Sequence, residues 1–265
     1  MTNKKLLNKT MTIDAEMMGK ASFFVACRSD FRGYLQHIAI TPASALTAGV
    51  NILATNGHYL AIFNDALSSS CISKVINGKG IAINCVYKKN GQLTEFIKDC
   101  RNTKIIKENI KARRKLTIRF LSGNKCKVHF NKKSHLFDCI LTFPSIEKVF
   151  SGEHFKNSLV AHTFNYNFIQ MLKHIDLSIH KEKAYKNNII FSVSKRGLLV
   201  AAKKGVIFAC MPSMSGFSGN IADFVTGSIL FESLDIFTQS IIKKRFQEEF
   251  GHLLSNELLN RKIKR

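Results

Sequence analysis

The chain has 265 residues, 45% of them apolar with 21 Phe and no Trp, and sets 40 Lys and Arg against 18 Asp and Glu for a formal charge of +22. That apolar share suits one large or two small packed domains and excludes disorder throughout, while the charge points to a polyanionic partner, nucleic acid first. No run reaches the roughly 18 apolar residues of a membrane-spanning helix, and Met1 to Thr10 leads into no apolar stretch, so neither a membrane segment nor a secretory signal is expected.

In chain order, residues 13 to 28 predict an amphipathic helix, with Met17, Met18, Ala21, Phe24 and Val25 on one stripe and Lys20 and Arg28 away from it. Strands are predicted at Tyr34 to Ile40, Val50 to Ala54 and Leu60 to Phe63, with Thr55-Asn56-Gly57-His58 as an Asn-Gly hairpin between the last two. Gly80 to Tyr87 reads as another strand, closed by a turn at Lys88 to Gly91. A second helix follows, with Leu93, Phe96, Ile97 and Cys100 inward and Lys98 and Arg101 on the opposite face. Lys104 to Lys115 carries six Lys or Arg and reads as a solvated loop or an extra helical turn. Strands at Leu116 to Leu121, Lys125 to Phe130 and His135 to Leu141 complete a duplicated unit of helix and strands.

A third, shorter unit is expected from about Asn157. It holds a strand at Leu159 to Phe164, then a helix capped by Asn165 and carrying Phe168, Met171, Leu172 and Ile175. Strands follow at Asn188 to Ser194, Gly197 to Ala202 and Val206 to Met211. Ser213 to Gly219 reads as a linker, and a helix is expected from about Thr226, with Leu230, Leu234, Phe237 and Ile241 on one stripe. The seven cysteines are odd in number and form no CxxC pair, so free thiols in a reducing cytoplasm explain them better than zinc or disulfides.

Five segments stand out in order: Arg32-Gly33-Tyr34-Leu35-Gln36, Ala54-Thr55-Asn56-Gly57-His58-Tyr59-Leu60-Ala61, Phe143-Pro144-Ser145-Ile146-Glu147-Lys148-Val149, Phe164-Asn165-Tyr166-Asn167-Phe168, and Val206 to Met214. They resemble the bacterial sliding clamp family, the polymerase III beta subunits, whose middle domain carries R-x-Y-L-N-G, A-T-D-G-H-R-L-A and F-P-D-Y-x-x-V. The last two segments are similar to the F-N-x-x-Y and V-V-M-P-M-R-L elements of that family's last domain. The resemblance implies an α+β, DNA-clamp-like fold of repeated helix-plus-antiparallel-sheet units with a C-terminal helical extension. Residues 11–150 would form a middle-domain-like domain, 151–214 half of a further clamp-like unit, and 215–265 the linker and C-terminal helix.

Carried over position by position, the resemblance implies a peptide-binding pocket of Leu35, Thr55, Gly57, His58, Leu60, Pro144, Val149, Asn165, Phe168, Met211 and Pro212. Apolar walls suit an aliphatic or aromatic anchor, and Thr55, His58 and Asn165 suit a peptide backbone. It also implies a helix-lined surface that neutralises the phosphates of double-stranded DNA without reading bases: Lys20, Arg28, Arg32, Tyr34, Lys98, Arg101 and Lys173. An AT-biased genome would also enrich lysine, but does not by itself deplete acids.

The sequence departs from the family's pattern at Asn56, Tyr59 and Ser213. The family's first domain and the first half of its third have no counterpart, so ring closure in the family's manner is not expected, and any homo-oligomer would use a non-standard interface. No paired carboxylates sit at motif spacing, and no G-x-S-x-G, H-E-x-x-H or Walker loop occurs, so neither catalysis nor a cofactor or metal is expected. The leading expectation is a phage- or plasmid-type clamp relative in the bacterial cytoplasm, at the nucleoid, that binds DNA and DNA polymerase or other proteins bearing clamp-binding motifs. The alternatives are a regulatory decoy that binds replication proteins without DNA, and a basic nucleic-acid enzyme.

Overall fold

The computed structural model describes residues 8–43, 49–68, 80–108, 115–140, 143, 164–177, 189–194, 198–203 and 205–212. All of them belong to one compact unit. The expected strand at Leu159 to Phe164 (apart from Phe164), the linker and the C-terminal helix lie outside the described residues.

Alternating burial along short runs makes the described chain a sheet. Lys115–Leu121 alternates exposed or half-exposed with buried at every position, and Lys125–Phe130 does the same. Eleven strands are described: β1 (Thr10–Asp14), β2 (Ile38–Pro42), β3 (Val50–Thr55), β4 (Tyr59–Asp65), β5 (Ile81–Ile83), β6 (Lys115–Leu121), β7 (Lys125–Phe130), β8 (Lys133–Ile140), β9 (Ile190–Val193), β10 (Leu199–Lys203) and β11 (Val206–Cys210). They form one sheet in the order β1-β6-β7-β8-β5-β2-β3-β4-β11-β10-β9. Every neighbouring pair is antiparallel. Three joints span long sequence separations: β1 meets β6 from Thr10↔Arg119 to Asp14↔Lys115, β5 meets β8 at Ala82↔Ile140 and Ile83↔Cys139, and β4 meets β11 from Tyr59↔Cys210 to Phe63↔Val206.

The helices are short and lie against one face. They are α1 (Ala15–Ala21), α2 (Glu95–Arg101), α3 (Thr103–Glu108) and α4 (Tyr166–Ile169), with 3-10 turns at Gly33–Gln36 and Gln170–His174. α1 and α2 approach closely because Gly19 has no side chain; a Cβ there would stand 2.3 Å from the carbonyl oxygen of Cys100. Met11, Ile13, Met18, Phe24, Ile38, Ile40, Ile52, Phe63, Phe96, Ile118 and Phe208 fill the main core on this side. The opposite face buries two smaller clusters: Ala39, Leu53 and Ala82, and Leu60, Leu198 and Ala209.

The α+β architecture of short helices on an antiparallel sheet agrees with the sequence expectation, but several elements differ. The helix expected over 13 to 28 begins at Ala15 and stops at Ala21. Met11 and Ile13 belong to a strand of period two, and Asp14 then caps the helix by accepting from the backbone N–H of Glu16 and Met17. Ser22 donates its hydroxyl to the carbonyl of Gly19, and the chain turns so that Phe24 enters the core without being helical. The strand expected from Tyr34 begins only at Ile38, after a 3-10 turn. Of the two readings for Lys104 to Lys115, the helical one holds from Thr103 to Glu108. No helix among the described residues is long and apolar enough to cross a membrane.

Candidate functional site

The β3–β4 turn is built by its own side chains. The Thr55 hydroxyl donates to the Tyr59 carbonyl at 2.7 Å and accepts from the Gly57 N–H at 3.0 Å, while Asn56 Oδ1 accepts from the N–H groups of His58 and Tyr59. Gly57 sits at φ +91°, a conformation costly for other residues. The end of β11 runs beside this turn: Cys210 pairs with Tyr59, and the Met211 N–H donates to the His58 carbonyl at 2.9 Å.

This juxtaposition forms an open pocket of about 160 Å³. Leu60 and Ala209 face each other across the β4–β11 pair and, with Leu198, cluster at its base. Leu35, from the 3-10 turn, and the half-exposed Met211 also line it, as do Thr55, Gly57, His58, Tyr59, Tyr34 and Arg32. Its chemistry is therefore apolar at the base with polar groups along one side, suited to an apolar anchor on a chain whose backbone needs hydrogen bonds.

One ion pair shapes the mouth. Arg32 donates to both carboxylate oxygens of Asp30, at 3.0 and 2.8 Å, and to the carbonyl of Asn56 at 3.1 Å. The Arg32 bond holds the Asp30 carboxyl below its ordinary range. A Cβ on Gly57 would lie 2.5 Å from Arg32 Nη1, so the absent side chain makes room for the guanidinium. Behind the turn, His58 stacks on Phe168 with centroids 5.3 Å apart, and Tyr59 meets the same ring edge-on.

Of the expected pocket residues, Leu35, Thr55, Gly57, His58, Leu60 and Met211 gather round this one cavity. Phe168 touches it through His58, and Asn165 caps α4 by accepting from the Asn167 N–H. Pro212 follows Met211 and is not among the lining residues; Pro144 and Val149 lie outside the described residues. Tyr59, Leu198 and Ala209 were not anticipated. Ala209 could have been found by pairing the two strands in register, since it stands opposite Leu60.

The residues expected to meet DNA fall into different settings. Lys20 closes α1, and Arg101, at the end of α2, donates to the hydroxyl and carbonyl of Ser22 at 2.7 and 2.9 Å. The Arg101 guanidinium also lies 3.7 Å from the Phe23 ring centroid, and His174 stacks on that ring at 3.8 Å. The His174 imidazole is held down at about 4, first by burial and then by Lys173, Lys20 and Arg101. The charges of three expected cations from three elements thus act on one histidine. Lys98 is paired with Glu95, Arg28 donates to Gln36 at 2.9 Å, and Tyr34 is exposed. Arg32 and Tyr34, expected to meet DNA, line the pocket, where Asp30 and the Asn56 carbonyl hold the guanidinium.

No protein-family model matches the sequence, and no curated protein does. Among solved structures the chain is similar to the DNA polymerase III beta subunit of Thermotoga maritima, at 12% identity and a TM-score of 0.50 over 79% of this chain and 66% of that one. It is similar to the DNA polymerase III beta sliding clamp of Bartonella birtlesii bound to griselimycin, at 15% identity and 0.50 over 77% of this chain and 66% of that one. The beta subunit from Pseudomonas aeruginosa shows 13% identity and 0.50 over 78% and 67%. The described sheet and helices therefore have the sliding clamp fold, and the chain spans just under two thirds of the first of these relatives.

Proposed function

We propose that this protein is a clamp-like, DNA-associated binding protein that docks an extended peptide of a replication or repair protein in the pocket between the β3–β4 turn and the end of β11. The observation that carries the proposal is that pocket. Two segments far apart in sequence are joined by the Met211–His58 hydrogen bond and share an apolar base of Leu60, Leu198 and Ala209. The clamp fold of the similar structures supports the same reading, and the sequence offers no catalytic constellation to set against it. In the phage- or plasmid-type form of the proposal, the occupant is a DNA polymerase tail or another segment bearing a clamp-binding motif.

DNA contact is assigned to the cations around His174. Lys20 and Lys173 neutralise phosphates, while Arg101 positions the layer from within; the affinity is independent of sequence and falls steeply with salt. A specific observation favours a second reading, a decoy that binds replication proteins without DNA: Arg28, Arg32, Lys98 and Arg101 already have partners within the chain. Titrating a peptide with a clamp-binding motif against wild type, Leu60→Asp and Met211→Ala tests the pocket; binding that is equally weak to all three removes it. Duplex DNA titrated at low and high salt separates the two readings, since a flat salt response leaves the decoy.

A further inference from the structure

The cations of β6 and β7 are not part of the surface described above. On these strands the buried residues Leu116, Ile118, Phe120, Cys126, Val128 and Phe130 join the main core. Lys115, Arg119, Lys125 and Lys127 alternate with them and are exposed. They therefore stand on the face of the sheet turned away from the helices, opposite the Lys20–Lys173 side.

Their distribution is uneven in a way that composition does not explain. The outward positions of β2, β3, β4, β5, β10 and β11, among them Ala39, Leu53, Leu60, Ile62, Ala82 and Ala209, carry no charged side chain. A genome-wide lysine bias would load both halves of this face. Register sharpens the contrast. Arg119 stands directly opposite Lys127, in a row that runs Thr10, Arg119, Lys127, Leu136 and contains no acid. Like charges facing each other across a strand pair are unfavourable unless an anion lies between or above them. Among the described residues the acid of this face is Asp138, at its corner opposite Lys125, while Asp14, opposite Lys115, turns its carboxylate to cap α1.

We infer that the outward face of β1, β6, β7 and β8 is a second DNA-binding surface, which takes the phosphodiester backbone of a duplex. From Lys115 to Arg119 the strand spans roughly 13 Å, about four base pairs of duplex length. Thr10, Thr117 and Ser134 place hydroxyls among the cations. At the outward positions of these strands no Phe, Tyr or Trp offers a platform for unpaired bases, which favours a duplex over a single strand. The inference shares with the proposed function only the choice of DNA as partner, and uses neither the pocket nor the helix side.

The test compares two double charge reversals in the full-length chain, Arg119→Glu with Lys127→Glu and Lys20→Glu with Lys173→Glu, which change net charge equally. Affinity for a short DNA duplex is followed by fluorescence anisotropy over a salt series, with circular dichroism and Tm as checks on folding. The sheet-face pair is expected to lower the salt slope by about 1.8 and the affinity roughly 60-fold at about 0.1 M salt, the effect of losing two phosphate contacts. Arg119→Lys keeps the wild-type slope, and peptide binding is unchanged. If the sheet-face pair alone weakens binding, this inference stands and the helix-side assignment falls. An unchanged slope in the sheet-face pair overturns the inference. So does a loss seen only for single-stranded DNA, an acidic peptide or anionic vesicles.

Discussion

Replacing Arg101 separates a structural cation from a DNA-facing one. Its guanidinium makes two hydrogen bonds to Ser22, which is 1% exposed, and covers the Phe23 ring at 3.7 Å. Bonds of a charged donor to a buried acceptor contribute about 1.5 kcal/mol each at the lower, half-solvated end of their range, and an exposed cation–ring contact adds about 0.5 kcal/mol. Arg101→Ala should therefore destabilise the fold by about 3.5 kcal/mol, leaving the Ser22 carbonyl without this donor. Arg101→Lys, which lacks the planar fork, should recover less than half of that. Urea unfolding measures the loss as a shift in midpoint at constant m-value. In salt titrations with duplex DNA under native conditions the slope should stay at the wild-type value, because the donors point into the protein. A midpoint shift worth less than about 0.5 kcal/mol, together with a slope reduced by about 0.9, would refute the reasoning and return Arg101 to the phosphate-binding set.

Two further predictions concern titrating groups. His174 is neutral in the fold down to about 4 but takes up a proton near 6.5 when unfolded, so stability should fall as pH drops from about 6.5 towards 4 and level off below that; His174→Phe should lose this component, and an imidazole that titrates at 6.5 in the native protein by NMR would contradict the burial argument. Cys27 is exposed and its thiol is lowered by the Ser29 hydroxyl, whereas burial pushes Cys85 up to about 12 and Cys210 to about 11. At neutral pH a thiol reagent should modify Cys27 well before those two, and peptide mapping that finds Cys85 labelled as fast in the folded chain would overturn the packing.

Locally encoded features could be read from the residues alone. Asn56-Gly57 between two apolar runs specified the hairpin, and Asn165 announced the helix it caps. The first helix was drawn too long because Met11 and Ile13, on a strand, run straight into the apolar Ala15, Met17 and Met18. Period two gives way to period 3.6 there without a break in hydrophobicity. Leu198 and Ala209 escaped because their place in the pocket depends on the register between β4 and β11, which no local pattern encodes. Arg32 and Arg101 escaped for a different reason. A sequence shows that a charge exists but not which way it points, and Asp30 and Ser22 engage these two within the chain.

The seam between β4 and β11 also bears on the order of events during synthesis. The chain must emerge almost to Met211 before Leu60 meets Ala209, and contacts of such long loop closure form slowly. A growing or truncated polypeptide can complete the β3–β4 hairpin and still lack the pocket. Assembly of the pocket thereby waits for β11 to emerge, a delay that arises from strand order alone.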